Sequence, residues 1–271
     1  MRWRSGKTAL FLLALAACAQ KGTPPIALQA ADATPHAADP DDAPIDASGP
    51  AGSWVDAIRR GAWDDAARAI DALPDADRKR PPIRYARARV AAAQKDFARV
   101  VAQLDDLETP LPLLADAIAK RRAHAQLEVG PYDKAAAYFF AKPGAEAQLE
   151  ASRAFERAGD AKAALIACDH AIAADDKSRI KEAEARGRRL RLGGRNPVDE
   201  AADARWLAIH APDLTDGREA LETLTHLDAA HPLTQSEMID RGRSFAEGQK
   251  TDEAVAAIDA SVRAPLPAVP I

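Results

Sequence analysis

Five short blocks decide the fold: Gly61-Ala62-Trp63-Asp64-Asp65-Ala66, Lys95-Asp96-Phe97-Ala98-Arg99-Val100, Gly130-Pro131-Tyr132-Asp133-Lys134-Ala135, Gly159-Asp160-Ala161-Lys162-Ala163-Ala164 and Gln249-Lys250-Thr251-Asp252-Glu253-Ala254. The first four begin 34, 35 and 29 residues apart, and the fifth follows a longer, irregular gap. Each opens on a small or polar residue suited to a turn between two helices. Two positions on, Trp63, Phe97 and Tyr132 supply a ring that can wedge between them. Three further on, a small residue such as Ala66, Val100 or Ala135 lets the second helix approach closely. One helical turn beyond stand Ile70, Leu104, Phe139, Cys168 and Ile258, all apolar, which predicts the same inward stripe in every second helix.

Working outward, first helices are expected over residues 83–93, 113–129, 145–158, 179–192 and 236–247. Pro81-Pro82, Pro110 to Pro112, Pro143-Gly144, Gly193-Gly194, Pro212 and Pro232 mark the breaks between pairs. The period, with the turn, ring and small residue in register, resembles the tetratricopeptide repeat, two antiparallel helices per unit. That resemblance implies an all-α protein, a right-handed α-solenoid over residues 53–264 with a concave binding face. Ser53 is a plausible N-cap at its start. Composition agrees: the 271-residue chain is rich in Ala, the best helix former, and aromatic residues make up only 5% of it.

Before the repeats the chain reads as an address and a tether. Arg2, Arg4 and Lys7 precede a weakly polar-to-apolar run over residues 8–17, the layout of a secretory signal (1–17). Leu15-Ala16-Ala17-Cys18 resembles the bacterial lipobox, which implies that Cys18 is acylated and holds the protein to a lipid bilayer. Ala19, in place of Asp, implies an outer-membrane lipoprotein facing the periplasm. Residues 18–52 are rich in Pro, Ala and Asp without an aromatic ring, so they are expected to form a disordered tether. Residues 265–271 form a Pro-rich tail.

The segments Leu107-Glu108-Thr109-Pro110-Leu111-Pro112-Leu113-Leu114-Ala115-Asp116, Ala154-Phe155-Glu156-Arg157-Ala158-Gly159-Asp160 and Asp203-Ala204-Arg205-Trp206-Leu207-Ala208 resemble the helical superhelix of soluble lytic murein transglycosylases, enzymes that cleave peptidoglycan glycan strands. In that family the catalytic domain follows the superhelix and opens on a Glu-Ser pair, whose Glu is the acid/base. No Glu-Ser pair occurs in this sequence. The expectation is therefore a non-enzymatic scaffold for peptidoglycan or an envelope protein. The alternative is the superhelical region of such an enzyme, with its catalytic domain missing from the chain.

No Gly-rich phosphate loop, Gly-x-Ser-x-Gly or His-Glu-x-x-His motif is present, and neither cofactor nor metal is expected. Cys168-Asp169-His170 is the nearest approach to a cluster. Adjacent helical residues point about 100° apart, so the three cannot converge, and the repeat frame assigns Cys168 to the core. A formal charge of −4, from 37 Lys+Arg and 41 Asp+Glu, argues against nucleic acid as a partner. Arginines nevertheless gather on the first helices. Arg84, Arg87, Arg121, Arg153 and Arg188 are candidates for an anion-binding concave face that takes a protein or peptidoglycan partner.

Overall fold

The computed structural model describes residues 53–263; the expected signal (1–17), Cys18, the tether (18–52) and the tail (265–271) lie outside them. Among the described residues there are fourteen α-helices and no strand. They are α1 (Trp54–Arg59), α2 (Trp63–Asp71), α3 (Asp75–Arg78), α4 (Pro81–Ala93), α5 (Phe97–Leu104), α6 (Ala115–Val129), α7 (Tyr132–Phe140), α8 (Ala145–Arg157), α9 (Ala161–Ala173), α10 (Arg179–Leu192), α11 (Pro197–His210), α12 (Thr215–Leu227), α13 (Gln235–Glu247) and α14 (Thr251–Arg263). From α4 to α12 each helix packs on the next in sequence. The protein is all-α.

The turn position of every block has a positive φ: Gly61 (69°), Lys95 (59°), Gly130 (84°), Gly159 (82°) and Gln249 (59°). At four of the five turns the two amides after the helix bond back in the same way. Ala62, Asp96, Asp160 and Lys250 donate to the carbonyls of Ala57, Ala91, Phe155 and Phe245, and the residue before each donates three residues back. This is the Schellman arrangement, which satisfies carbonyls that a helix end leaves open. Pro131 has no N–H, so the remaining turn, at Gly130, lacks the longer bond. Asp96 and Asp160 also open the next helix, each accepting from the amide three residues on, Arg99 (3.1 Å) and Ala163 (2.9 Å). One residue thereby ends one helix and caps another, and the connection is three residues long.

The third position of each block, Trp63, Phe97, Tyr132, Ala161 and Thr251, is the first residue of its helix. Trp63 and Phe97 are half-buried against the cores beside them, and the ring of Tyr132 lies over Gly130. Ala66, Val100, Ala135, Ala164 and Ala254 are buried, and one turn on so are Ile70, Leu104, Phe139 and Cys168. Removing side chains of this size from water contributes about 1.5–3 kcal/mol each. Ile258 departs from the expected inward stripe. It points at α13, but α14 is the last described helix, and 42% of Ile258 stays exposed.

Other differences are small and local. α4 starts at Pro81, because proline fits the first turn of a helix. The helix expected from 113 begins as a 3-10 turn, Pro112–Leu114, and becomes α-helical at Ala115. Ser53 sits at the N-cap of α1, but its hydroxyl caps no amide. The irregular stretch between the fourth and fifth blocks holds α11 and α12, a tight hairpin turned by Ala211–Leu214 instead of by a left-handed residue. Gly217 makes this possible, since a Cβ there would lie 1.8 Å from the Ala211 carbonyl oxygen. α11 also packs on α13, while α10 contacts α8, α9, α11 and α12. Counting alternately from α9 would make α14 a first helix, whereas its block makes it a second. The stretch thus inserts an odd helix into the series.

Candidate binding groove

Helices α6, α8 and α10 follow one another as first helices and together form an open groove of about 680 Å³. His124, Leu127 and Glu128 come from α6, Glu150, Arg153, Glu156 and Arg157 from α8, Arg188 from α10, and Phe97 closes one side. The charges interlock across the helices. Arg153 pairs with Glu150 on its own helix (2.9 Å) and with Glu184 on α10. Arg157 reaches back to Glu128 (3.3 Å) and the Leu127 carbonyl, and Arg188 pairs with Glu156. His124 lies edge-on to Phe139, with ring centres 4.9 Å apart. Burial holds its pKa below the ordinary value for histidine, so it is neutral at pH 7. The floor thus carries both signs of charge on rigid helices, with a neutral imidazole and one aromatic edge.

Of the five arginines singled out in the sequence, the structure brings Arg153 and Arg188 together in this groove. Arg84 and Arg87 line a separate depression with Asp71, Asp75 and Arg78. Arg87, 5% exposed, makes a bidentate pair with Asp71 (2.9 and 3.0 Å), and Arg84 donates to the Asp105 carbonyl (2.7 Å). Arg121 is part-buried on α6, and its Nε has no hydrogen-bond partner. The arginines therefore do not form one cationic face, and four of them already hold carboxylates or carbonyls of this chain.

The acidic half of the groove was absent from the sequence reading. A signal for it existed: Arg157–Glu128, Arg153–Glu184 and Arg188–Glu156 are separated by 29, 31 and 32 residues, about one repeat. Opposite charges one period apart on first helices are neighbours across the stack.

A second network was equally hidden. Asp203, 1% exposed, is held by Arg186 (2.8 Å), Arg189 (3.0 Å) and Arg195 (3.2 Å), and Arg186 lies over the Trp206 ring at 4.8 Å. Burial pushes the Asp203 carboxyl up to about 6, against the pull of the guanidiniums. Its partners already hold Glu182, Asp169 and Asp199, so the cluster is a joint between α10 and α11 with no cation to spare.

Cys168, Asp169 and His170 diverge. Cys168 is buried with Sγ 3.1 Å from the Ser152 hydroxyl, Asp169 pairs with Arg189 (3.2 Å), and His170 stacks on Phe140. Burial pushes the Cys168 thiol up to about 11, which leaves almost no thiolate at neutral pH. Among the described residues no group of three or more His, Cys, Asp and Glu side chains could hold a metal ion. Nor is any described helix long and apolar enough to cross a membrane. No family model and no curated protein matches the chain.

Proposed function

We propose that the protein is a lipid-anchored scaffold of tetratricopeptide-like helix pairs, wound as a right-handed solenoid. It would bind a peptide-bearing partner in the groove over α6, α8 and α10, and do so without catalysis. The observation that carries this reading is the interlocked row of Glu128, Arg157, Glu156, Arg188, Glu184 and Arg153 across three successive first helices. A floor of alternating sign suits a ligand that itself carries both amines and carboxylates, because each ligand charge can replace one member of an existing pair. Peptidoglycan stem peptides have that chemistry, and the likeness to the lytic transglycosylase superhelix favours them over an envelope protein.

The lipobox-like Leu15-Ala16-Ala17-Cys18 supports anchoring at the periplasmic face of the outer membrane. Metabolic labelling with a radioactive fatty acid tests the anchor: the wild-type chain should take up label and Cys18→Ser should not. Retention on purified peptidoglycan sacculi at low salt tests the groove. Reversing two charges, Arg153→Glu with Arg188→Glu, should lower retention about tenfold, the loss of roughly 1.4 kcal/mol of ion pairing. Equal retention of both proteins, or none of either, would count against this reading.

A further inference from the structure

A larger groove lies over α12, α13 and α14. It has a volume of about 1230 Å³, and its apolar walls are Leu221, Leu224, Leu233, Met238, Ala257 and Ala260. It exists because α12 and α13 make no more than marginal contact, with the loop 228–234 running between them. The charged groups that line it are not equally satisfied. Arg205 holds Glu237 (2.8 Å) and Asp228, and Asp228 also bonds His231 (2.7 Å). Arg241 donates to the Ala208 carbonyl and lies over the Phe245 ring at 4.9 Å, but no carboxylate of the described residues pairs with it. It is half-buried, and burial holds its pKa below the ordinary value for arginine with no acidic group to oppose the shift. The guanidinium stays charged all the same. The groove therefore presents one cation without a counter-charge beside a hydrocarbon wall, an arrangement that is costly while it stays empty of an anion.

We propose that this groove binds a long-chain fatty carboxylate, with the alkyl chain along the leucine, methionine and alanine side chains and the head group on Arg241. A concave site that is mostly apolar, with one placed charge to fix orientation, is the general form of a small-molecule site. The head group supplies the counter-charge that Arg241 lacks, where partial burial strengthens the pairing. The alkyl chain supplies apolar surface without amides. A peptide would instead bring backbone N–H and C=O groups, which leucine, methionine and alanine side chains cannot satisfy. Each buried methylene should tighten binding about fourfold, so affinity should climb steeply with chain length.

Met1 and Met238 are the two methionines of the sequence, so in a methyl-labelled full chain the Met238 NMR signal reports on the groove. Dodecanoate, kept below its micelle concentration, should shift that signal and reach saturation. Decanoate, two methylenes shorter, should bind about tenfold more weakly, and acetate should leave the signal in place. Dodecanol keeps the chain and lacks the charge, so it should bind about tenfold more weakly than dodecanoate. Arg241→Met should bring dodecanoate and dodecanol to the same affinity, and Leu221→Asp, at an exposed edge of the wall, should weaken both. No shift with dodecanoate, or equal affinity of the wild-type chain for dodecanoate and dodecanol, would overturn the proposal. So would a Met238 signal that moves with protein concentration alone while the chain sediments as a dimer, since a second copy would then fill the groove.

Discussion

Lys95 and Gln249 hold, at φ 59°, the turn position that glycine holds in the other three blocks. A left-handed conformation costs a residue with a Cβ about 1 kcal/mol relative to glycine, so these two turns are formed against local preference. What compensates them is the pair of backwards amide bonds that also closes the Gly61 and Gly159 turns. At Gly159 a Cβ would meet nothing within 4 Å, so substitution there probes the backbone alone. Gly159→Ala should lower the unfolding free energy by about 1 kcal/mol, and Lys95→Gly should raise it by somewhat less, because glycine also loosens the unfolded chain. Urea titration checks both; an unchanged midpoint for Gly159→Ala would contradict the role of the turn. Asp203 offers a test by pH. Its folded carboxyl is pushed up to about 6, above the ordinary value near 4, so between those values the folded protein keeps a proton that the unfolded chain releases. The contribution of this group is therefore full below pH 4 and lost as pH rises through 6. The stability advantage of wild type over Asp203→Asn should shrink across that window, and a difference that stays flat would show that burial does not govern this carboxyl.

Among the helices, those whose ends are set by chemistry within the segment were legible in the sequence. The range expected for α10 matches the structure, and those for α8 and α13 differ by one residue at one end, because turns, caps and breakers sit inside the repeat frame. The α11–α12 hairpin was not legible for a physical reason. Its close approach depends on Gly217 inside α12, where the frame supplies neither a left-handed turn nor a ring. The charged floor of the groove was half legible: arginines stand out on single helices, whereas their glutamate partners are found only by comparing helices one period apart. Two glycines separate a rigid contact from a yielding one. At Gly217 a new Cβ would strike backbone, the Ala211 carbonyl at 1.8 Å, while at Gly187 it would meet the Asp216 side chain, whose carboxylate at 2.1 Å can swing away and whose Cβ at 2.8 Å cannot move without the backbone. Gly217→Ala should cost about 1–3 kcal/mol as overpacking, with Gly187→Ala below it. Thermal unfolding of the two variants checks the order, and equal losses would mean that α12 shifts as a unit.

Over the whole molecule, the series α4 to α12 is held by contacts between neighbours in sequence, so stability is built up locally and should vary along the chain. Leu104 and Ile258 occupy the same place in the repeat frame and differ only in what surrounds them. Leu104 is fully buried, with helices on both sides of α5, whereas Ile258 stands on the last described helix and is 42% exposed. Truncating Leu104 opens a cavity between α4, α5 and α6 and should cost about 3–5 kcal/mol. Truncating Ile258 removes a contact already shared with water and should cost less than about 1.5 kcal/mol. Chemical denaturation of Leu104→Ala and Ile258→Ala measures the two totals, and hydrogen exchange shows where each loss falls. In a chain of nearest-neighbour couplings, Leu104→Ala should loosen α4 to α6 and leave α11 to α14 protected. Uniform loss of protection from α4 to α14 would instead mean that the described helices open as one cooperative unit.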